Sequence, residues 1–253
     1  MPNFNLSIGA LGGAFGWGLG IVMLFMMVSP VFGQQDSRRR LVISAIANEQ
    51  THELAKEVVR VAYEKMGMEV QFLDLPARRG LEWANSGKTD GDLARIDGTD
   101  KKFTNLIKIS TPVILFKGVV FTKNIERNIR SWEELKGLSV GIIGGIRYSD
   151  IGTKGLDRVI AKDMVQLFML LAKERIDVAV AVLDAGKIEI NRHYRGAKLH
   201  VIGQPLLVAP LFHFVHKKNR DLVSQLESVL TEMEESGETS KICEQTMNKA
   251  LAQ

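Results

Sequence analysis

The sequence predicts an α/β protein whose mainly parallel sheets are covered by helices and divided between two lobes. Short apolar segments rich in β-branched residues alternate with segments of helical period along the chain. The alternation restarts near residue 131, and two long extended stretches occupy residues 108–123 and 201–215. Strands and helices that alternate at this spacing form βαβ units, and the restart indicates a second lobe.

The first series of elements contains three predicted strands, over residues 41–47, 69–75 and 92–96. The helix after the first strand can be capped by Asn48 or Thr51, and Gly67 is a suitable residue to end it. A second helix is predicted over residues 77–86, because Pro76 stops the strand before it.

The second series begins after an extended stretch, residues 108–123, that is too long for one strand, so we expect Pro112 and Gly118 to divide it. Ser131 and Glu134 have the spacing of a capping box and predict the start of a helix. Further strands are predicted over residues 138–143 and 177–183, with helical structure from 146 to about 175 and over 219–237.

The charged residues are unevenly distributed. None lies in residues 1–35, and all 33 Lys and Arg and all 29 Asp and Glu lie in the remainder. A content of 45% hydrophobic and 25% charged residues is typical of a globular protein and excludes a disordered, collagenous or polytopic membrane chain. The net charge of +4 is small and the basic residues are interleaved with acidic ones, so we expect no nucleic-acid partner.

The uncharged N-terminal segment has the character of a signal peptide. Its most apolar part, residues 19–28, has the length of a signal-peptide core, and small residues before Gln34 suit cleavage there. Residues 1–33 are therefore predicted to direct export to the periplasm. The first basic cluster, Arg38-Arg39-Arg40, follows the apolar run instead of preceding it, which leaves an uncleaved membrane anchor or a misassigned start as alternatives.

Several kinds of site are not expected. The single cysteine, Cys243, excludes an internal disulfide and is predicted to be packed as a small apolar residue in a C-terminal helix. The five histidines form no H-E-x-x-H pattern, and no phosphate-binding loop or nucleophile elbow is present. We therefore expect no metal and no cofactor.

Five short segments carry a family resemblance. They are residues 75–81 (LPARRGL), 85–92 (NSGKTDGD), 109–112 (ISTP), 131–141 (SWEELKGLSVG) and 173–179 (KERIDVA). Together and in this order they resemble the family 3 extracellular solute-binding proteins of bacterial ABC transporters, and the resemblance covers residues 41–248.

The resemblance implies the two-lobed type II periplasmic binding fold, in which two crossover strands join the lobes and act as a hinge. It places the crossings near residues 119–123 and 204–210. Lobe one then comprises residues 38–120 and 206–253, and lobe two comprises residues 121–205. It also implies a monomer that captures a small solute between the lobes and delivers it to the membrane permease of an ABC transporter.

Residues that follow the strands are the candidates for ligand contact, because loops lead into helix N-termini at that edge of an α/β sheet. The candidates in the first lobe are Asn48, Glu49, Thr51, Arg78, Arg79 and Arg95. Asn48 and Thr51 can alternatively serve only as helix caps, and Arg78 and Arg79 can be solvated. Arg95 is the strongest candidate, because its apolar neighbours indicate a partly buried guanidinium that needs a partner.

The second lobe offers four candidates. Gly145 lies in a turn whose backbone amides can bind an anionic group, and Arg147 can supply a second cation. Tyr148 can form an aromatic wall, and core packing or a solvated surface position is the alternative for both Arg147 and Tyr148. Asp184 can meet a ligand ammonium or hydroxyl group, or it can cap the helix after its strand.

The solute is predicted to be anionic or zwitterionic, an amino acid or an organic acid, because the candidates include several arginines and few acids. The family's amino-acid binders usually carry an arginine about seven residues before the serine of the 109–112 segment. Phe103 occupies that position here, which leaves amino-acid specificity open.

We expect a binding protein and not an enzyme. One alternative is an enzyme on the same fold, such as a dehydratase of small carboxylic acids, in which Glu49 would be the general acid. The other is a sensor or accessory module that uses lobe closure to regulate a partner.

Overall fold

A single eight-stranded sheet runs through residues 39–252, which are the residues that this computed structural model describes. The strands are β1 (Arg40–Ile46), β2 (Glu69–Leu75), β3 (Gly91–Ile96), β4 (Leu106–Thr122), β5 (Val140–Ile143), β6 (Arg158–Ala161), β7 (Val178–Val182) and β8 (His200–His216). The α-helices are α1 (Gln50–Lys65), α2 (Ala77–Asn85), α3 (Thr99–Lys102), α4 (Arg147–Gly152), α5 (Met164–Ala172), α6 (Leu183–His193), α7 (Val223–Glu235) and α8 (Glu238–Ala252). The signal-peptide prediction for residues 1–33 lies outside the described residues.

The strand order is β2-β1-β3-β8-β4-β7-β5-β6. Strands β1, β2 and β3 are parallel to one another, and so are β5, β6 and β7. The two long strands lie in the middle, where β8 is antiparallel to both β3 and β4, and β4 is antiparallel to β7. We call β1–β3 with their helices the first lobe, and β5–β7 with theirs the second lobe.

Local sequence explains the first βαβ unit. Strand β1 is buried on most positions, and α1 packs Leu54, Val58 and Ala62 against it as an apolar stripe. Gly67 follows the helix with φ of 72°, a conformation in which glycine is not strained. The cap of α1 is Glu49, not Asn48 or Thr51, because Asn48 adopts a left-handed conformation one residue before the cap position.

The buried side chains form separate clusters in the two lobes. Along β4, Ile114 belongs to the cluster of the first lobe and Val119 to one in the second. Along β8, Ile202 packs in the second lobe and Leu211 in the first. The two long strands therefore pass from one core to the other, while the exact lobe boundaries after residues 120 and 205 stay a prediction.

The predicted division of residues 108–123 is wrong. Strand β4 is one strand of 17 residues, and β8 has the same length and pairs with it from Leu106 to Thr122. Pro112 and Gly118 lie beside shifts in the register of this pair instead of ending the strand. A long partner strand thus overrides the local tendency of proline and glycine to interrupt a strand.

Two helix predictions in the second lobe are also wrong. Residues 131–134 form no capping box, since the carboxylate of Glu134 accepts a hydrogen bond from the Arg130 amide and only a short 3-10 turn follows, Glu133–Leu135. The stretch from residue 146 to 175 is not helical throughout, because β6 lies between α4 and α5 and pairs in parallel with β5. Pairing with a distant strand again decides the conformation.

Helix α8 links the two lobes on one side of the molecule. Its Cys243 and Met247 pack against the first-lobe core, and burial raises the pKa of the Cys243 thiol to about 11. Glu238 at its start forms a salt bridge of 2.9 Å with Lys65 of α1. Near its end, the Leu251 carbonyl accepts a hydrogen bond from the Asn191 side chain of α6, in the second lobe. None of the helices in residues 39–252 is long and apolar enough to cross a membrane.

Candidate functional site

A cleft of about 740 Å³ lies between the two lobes and is bounded by the loops that follow the strands. Most of its lining side chains are apolar: Ile46, Leu81, Ala94, Ile96, Phe116, Ile146, Tyr148, Ile151, Val182, Leu207, Ala209 and Leu211. The polar lining consists of Glu49, His52, Arg95, Thr99 and Arg147. The position agrees with the rule that ligands of α/β sheets bind beyond the carboxyl ends of the strands.

The two lobes present apolar side chains to each other across this cleft. Ile96, at the end of β3, and Ile151, on α4, each have 62% of their surface exposed. Each lobe therefore has a large, exposed apolar side chain at its side of the cleft. An approach of the lobes would remove both from water.

An aromatic pair forms part of the cleft wall. Tyr148 of α4 and Phe116 of β4 have ring centroids 5.2 Å apart and an interplanar angle of 80°. The tyrosine ring lies on Gly118, because a Cβ atom added there would come within 2.6 Å of Tyr148 Cε2. The ring of Trp132 also lies near Tyr148, with 6.4 Å between the ring centroids. The pair thus connects the second lobe to β4, one of the two strands that pass between the lobe cores.

Arg95 is held by an ion pair at the edge of the cleft. Its Nε donates to Asp92 Oδ1 at 2.7 Å, and its Nη2 donates to Asp92 Oδ2 at 3.0 Å and to the Ala77 carbonyl at 3.1 Å. Ser44 Oγ donates to the same Oδ2 at 2.9 Å. These bonds use Nε and Nη2, so Nη1 is the guanidinium nitrogen still able to donate.

The surroundings of Asp92 shift the pKa of its carboxyl group in opposing directions. Its side chain is fully buried, and burial raises the pKa of the carboxyl while Arg95 and Ser44 oppose the increase. Gly80 leaves room for the ion pair of Asp92 and Arg95, since a Cβ atom at residue 80 would lie 3.3 Å from both Arg95 Nη2 and Asp92 Oδ2. The buried partner that the sequence predicts for Arg95 is therefore Asp92.

Glu49 and His52 are two polar residues that line the cleft at the start of α1. Glu49 Oε2 accepts a hydrogen bond from the His52 amide at 2.8 Å, and burial raises the pKa of the carboxyl. The Ile46 amide donates to His52 Nδ1 at 3.0 Å, so the neutral imidazole carries its proton on Nε2. Burial, aided by the charges of Arg95 and Lys56, lowers the pKa of His52 to about 3. His52 is uncharged at neutral pH.

The structure brings four of the ten predicted site residues to the cleft: Glu49, Arg95, Arg147 and Tyr148. Arg78 and Arg79 instead lie exposed on α2, where Arg78 forms a salt bridge of 2.8 Å with Glu82 and is 91% exposed. Asn48 is exposed, Thr51 is buried, and Gly145 is an exposed turn residue with φ of 80° next to the cleft lining.

Asp184 lies at a second cavity, of about 440 Å³, which Leu115 and Lys117 of β4 also line. Since side chains alternate along a strand, Leu115 and Lys117 point to the face opposite Phe116. The second cavity is thus on the side of the sheet away from the cleft. Val182, and not Asp184, occupies the cap position of α6.

The sequence interpretation missed His52 and Phe116. His52 could have been found, because it stands three residues after Glu49 in the first turn of the helix that follows β1. Phe116 carries no such signal, since only the pairing of β4 decides which of its faces meets the cleft. Within the described residues, no group of three or more His, Cys, Asp or Glu side chains is arranged to hold a metal ion.

Comparison with known proteins gives one relative in sequence and a clear likeness in fold. An uncharacterized protein of Shewanella oneidensis is 26% identical over 199 residues, which is 74% of this chain and 70% of that protein. The L-cystine solute receptor of Neisseria gonorrhoeae, in an unliganded open conformation, superposes with a TM-score of 0.67 at 17% identity, over 84% of this chain and 94% of that one.

A histidine kinase sensor domain with similarity to periplasmic binding proteins superposes with a TM-score of 0.58 at 19% identity, over 82% of this chain and 96% of that one. These likenesses confirm the predicted fold class, an α/β two-lobed type II periplasmic binding fold. Residues 49–249 match the family model described as bacterial extracellular solute-binding proteins, family 3. The chain therefore belongs to the family 3 bacterial extracellular solute-binding proteins.

Proposed function

We propose that this protein captures a small organic solute in the cleft by closing its lobes and delivers it to the membrane permease of an ABC transporter. In this proposal it acts in the periplasm as a monomer, and its N-terminal segment directs or anchors it there. Family membership supports solute binding. The observation that carries the proposal is the pair of exposed isoleucines, Ile96 and Ile151, that face one cleft from two lobes.

Closure requires a hinge, and the long strands are suited to be one. Strands β4 and β8 are the segments that pass between the lobe cores, and their pairing shifts register between Gly118 and Val120. Such irregularities bend a strand and interrupt its hydrogen-bond ladder only locally. We infer that the lobes rotate about this part of β4 and β8.

Within the cleft we assign roles to four side chains. Arg95 and Arg147 would contact an anionic group from the first and second lobe, respectively. Tyr148 would pack against the body of the solute together with Phe116. These roles make an anionic or zwitterionic organic molecule, such as an amino acid or an organic acid, the expected solute.

The test is a thermal-shift screen of residues 34–253 against amino acids, organic acids, sugars and polyamines. A solute at about 100 times its dissociation constant adds about 2.7 kcal/mol of stability, which raises the melting temperature measurably. Small-angle scattering with the best solute should show a smaller radius of gyration, because the lobes approach. If no solute raises the melting temperature, the proposal is wrong.

A pair of matched variants tests the role of the cleft. Ile151→Ser should weaken binding about tenfold, because its side chain becomes buried only when the lobes close, and should leave the ligand-free melting temperature nearly unchanged. Ile160→Ser is the control, since Ile160 is 57% exposed on β6 and does not line the cleft. Equal affinities for the two variants would contradict closure over this cleft.

Sensing is a second candidate, because a histidine kinase sensor domain has the same fold. Solute binding would be the same in both cases, and the partner distinguishes them. Co-purification with a permease from cross-linked cells supports transport, whereas a kinase or cyclase supports sensing. Recovery of the solute unchanged after prolonged incubation would exclude the enzyme alternative, in which Glu49 acts as an acid.

A further inference from the structure

We propose that the solute is a monocarboxylate with a branched aliphatic or aromatic body and without an ammonium group, such as a 2-oxo acid. This inference rests on the proposed function and specifies the class of solute that the same cleft accepts. Two properties of the lining carry it. One is the apolar surface. The other is that the carboxylates in and beside the cleft already accept hydrogen bonds from the protein.

The apolar surface fits an apolar solute body. Five of the side chains that line the cleft are polar or charged, and the others are apolar, with Phe116 and Tyr148 as an aromatic wall and Ile96 and Ile151 at the two sides. A polar side chain of a solute would lose its hydrogen bonds to water against these residues. A branched or aromatic body would instead bury apolar surface on both lobes.

An ammonium group needs a carboxylate that is not already used. Glu49 is the one carboxylate among the lining residues, and its Oε2 caps α1 by accepting from the His52 amide. The N-terminus of this 16-residue helix favours its negative charge, whereas burial opposes that charge and raises the pKa of the carboxyl. Asp92, which lies behind Arg95, has both oxygens bonded by Arg95 and Ser44.

The remaining acidic candidate does not reach the cleft. Asp184 lines the cavity on the opposite face of the sheet, together with Lys117 and Lys187. An α-ammonium group in the cleft would therefore find one carboxylate, Glu49, whose Oε2 is already bonded at the start of α1. A site for a zwitterion would instead need a carboxylate that is available to the ammonium group.

A carboxylate, in contrast, has an unused cation available. Arg147 is exposed at the start of α4, and within residues 39–252 no carboxylate lies within ion-pair distance of it. Nη1 of Arg95 is a second donor, on the opposite lobe. A carboxylate that binds both arginines would link the two lobes, so its charge would favour closure.

Matched pairs of compounds test the inference by calorimetry on residues 34–253. The pairs are 4-methyl-2-oxopentanoate with leucine, and phenylpyruvate with phenylalanine, since each pair shares a body and a carboxylate and differs in the oxo or ammonium group. Glutamate serves as a polar amino acid. We expect at least one oxo acid to bind ten or more times more tightly than its amino acid, and more tightly than glutamate.

Two variants connect this preference to the cleft. Arg147→Ala should weaken binding of the oxo acid tenfold or more, whereas Arg79→Ala, which removes an exposed arginine outside the cleft, should bind it as the parent does. Circular dichroism should show that both variants are folded. Equal binding by both variants would overturn the role of Arg147 and with it the inference.

The outcomes separate the inference from the proposed function. If leucine, phenylalanine or glutamate binds as tightly as the oxo acids or more tightly, the inference is wrong and the proposed function stands. If neither pair binds, the inference is also wrong, and the broader thermal-shift screen then decides the proposed function independently.

Discussion

At the scale of single residues, the ion pair of Arg95 with Asp92 fixes the position of a cation before any solute arrives. The Arg95 side chain is 9% exposed and forms three hydrogen bonds through Nε and Nη2. A guanidinium that is already immobile loses little rotamer freedom when it binds a further anion. In the proposed binding mode, the pair would therefore lower the entropic cost of binding the solute.

The same pair should be important for stability. Asp92→Asn leaves a buried guanidinium without its counter-charge, and such a loss costs about 3 to 5 kcal/mol of unfolding free energy. Urea denaturation measures the change. Arg78→Gln is the matched control, because it removes the exposed pair with Glu82, which is worth less than about 1 kcal/mol. Similar losses in the two variants would show that Asp92 is not needed to balance Arg95.

Two buried histidines should make stability depend on pH. Burial lowers the pKa of His213 to about 4 and that of His52 to about 3, from an ordinary value of 6.5. Between pH 6.5 and about 4 the unfolded chain binds protons at these positions and the folded chain does not. The free energy of unfolding should therefore fall as the pH falls, by up to about 1.4 kcal/mol per pH unit for each histidine.

The histidine contribution can be isolated with variants. His213 is fully buried and lies 3.1 Å from both Tyr63 Oη and the Leu93 carbonyl, so His213→Gln should reduce the slope of stability against pH. His200→Gln, at an exposed position, should leave the slope unchanged. Glu49 and Asp92, whose pKa values burial raises from 4.5 and 3.8, act in the opposite direction at pH above those ordinary values, and both variants retain them. A slope that does not respond to His213→Gln would contradict this explanation.

At the scale of elements, α8 is tied to both lobes on the face of the sheet that lies away from the cleft. Lys65 of α1 holds its start, and Asn191 of α6 holds its end. When lobes close over a cleft on one side of a hinge, the surfaces on the other side move apart. The bond between Asn191 and Leu251 should therefore resist closure.

Asn191→Ala should tighten solute binding. Removal of a hydrogen bond worth about 0.5 to 1.5 kcal/mol favours the closed form, so the affinity should rise about two- to tenfold although the residue lies outside the cleft. Calorimetry with the solute from the screen measures this. Arg195→Ala is the control, because it removes the bond to Asn191 Oδ1 at 3.0 Å and keeps the one to Leu251. Unchanged or weaker binding by Asn191→Ala would show that α8 does not restrain the hinge.

Elements with local boundary signals could be predicted from the sequence, and those fixed by distant partners could not. Strand β2 has the predicted bounds, residues 69–75, because Gly67 and Pro76 mark its two ends. Strand β4 was expected in pieces, since Pro112 and Gly118 are interrupting residues locally, but β8 pairs with it along its length. Strand β6, which forms by pairing with β5, was missed for the same reason.

The candidate site could likewise be predicted where local order is enough, and not where distant residues decide. The rule that loops after strands bind ligands finds Glu49, Arg95, Arg147 and Tyr148, because it needs only the order of elements. It does not give the direction of a side chain on its helix, so it also selects Arg78, which points to solvent from α2. The apolar character of the cleft depends on residues from seven separate segments of the chain, between Ile46 and Leu211, and could not be predicted.

At the scale of the whole molecule, the sheet is completed by its last strand, since β8 lies between β3 and β4. A chain that ends at Leu199 keeps seven strands but lacks β8, which pairs with both β3 and β4, and lacks α7 and α8. We expect it to lose cooperative thermal unfolding and to be digested by protease throughout the first lobe. A chain that ends at Gly237 lacks only α8 and should still unfold cooperatively. A protease-resistant first lobe in the shorter chain would contradict this expectation.

The central position of β8 also affects how the protein is made. Synthesis proceeds from the N-terminus, so the facing edges of β3 and β4 have no partner until residues 200–216 leave the ribosome. Pairings between residues this far apart in sequence form slowly, and the incomplete sheet exposes unpaired strand edges meanwhile. The nascent chain should therefore remain unfolded until residues 200–216 have emerged, and an unfolded chain is the state in which a polypeptide can be threaded through a translocation pore.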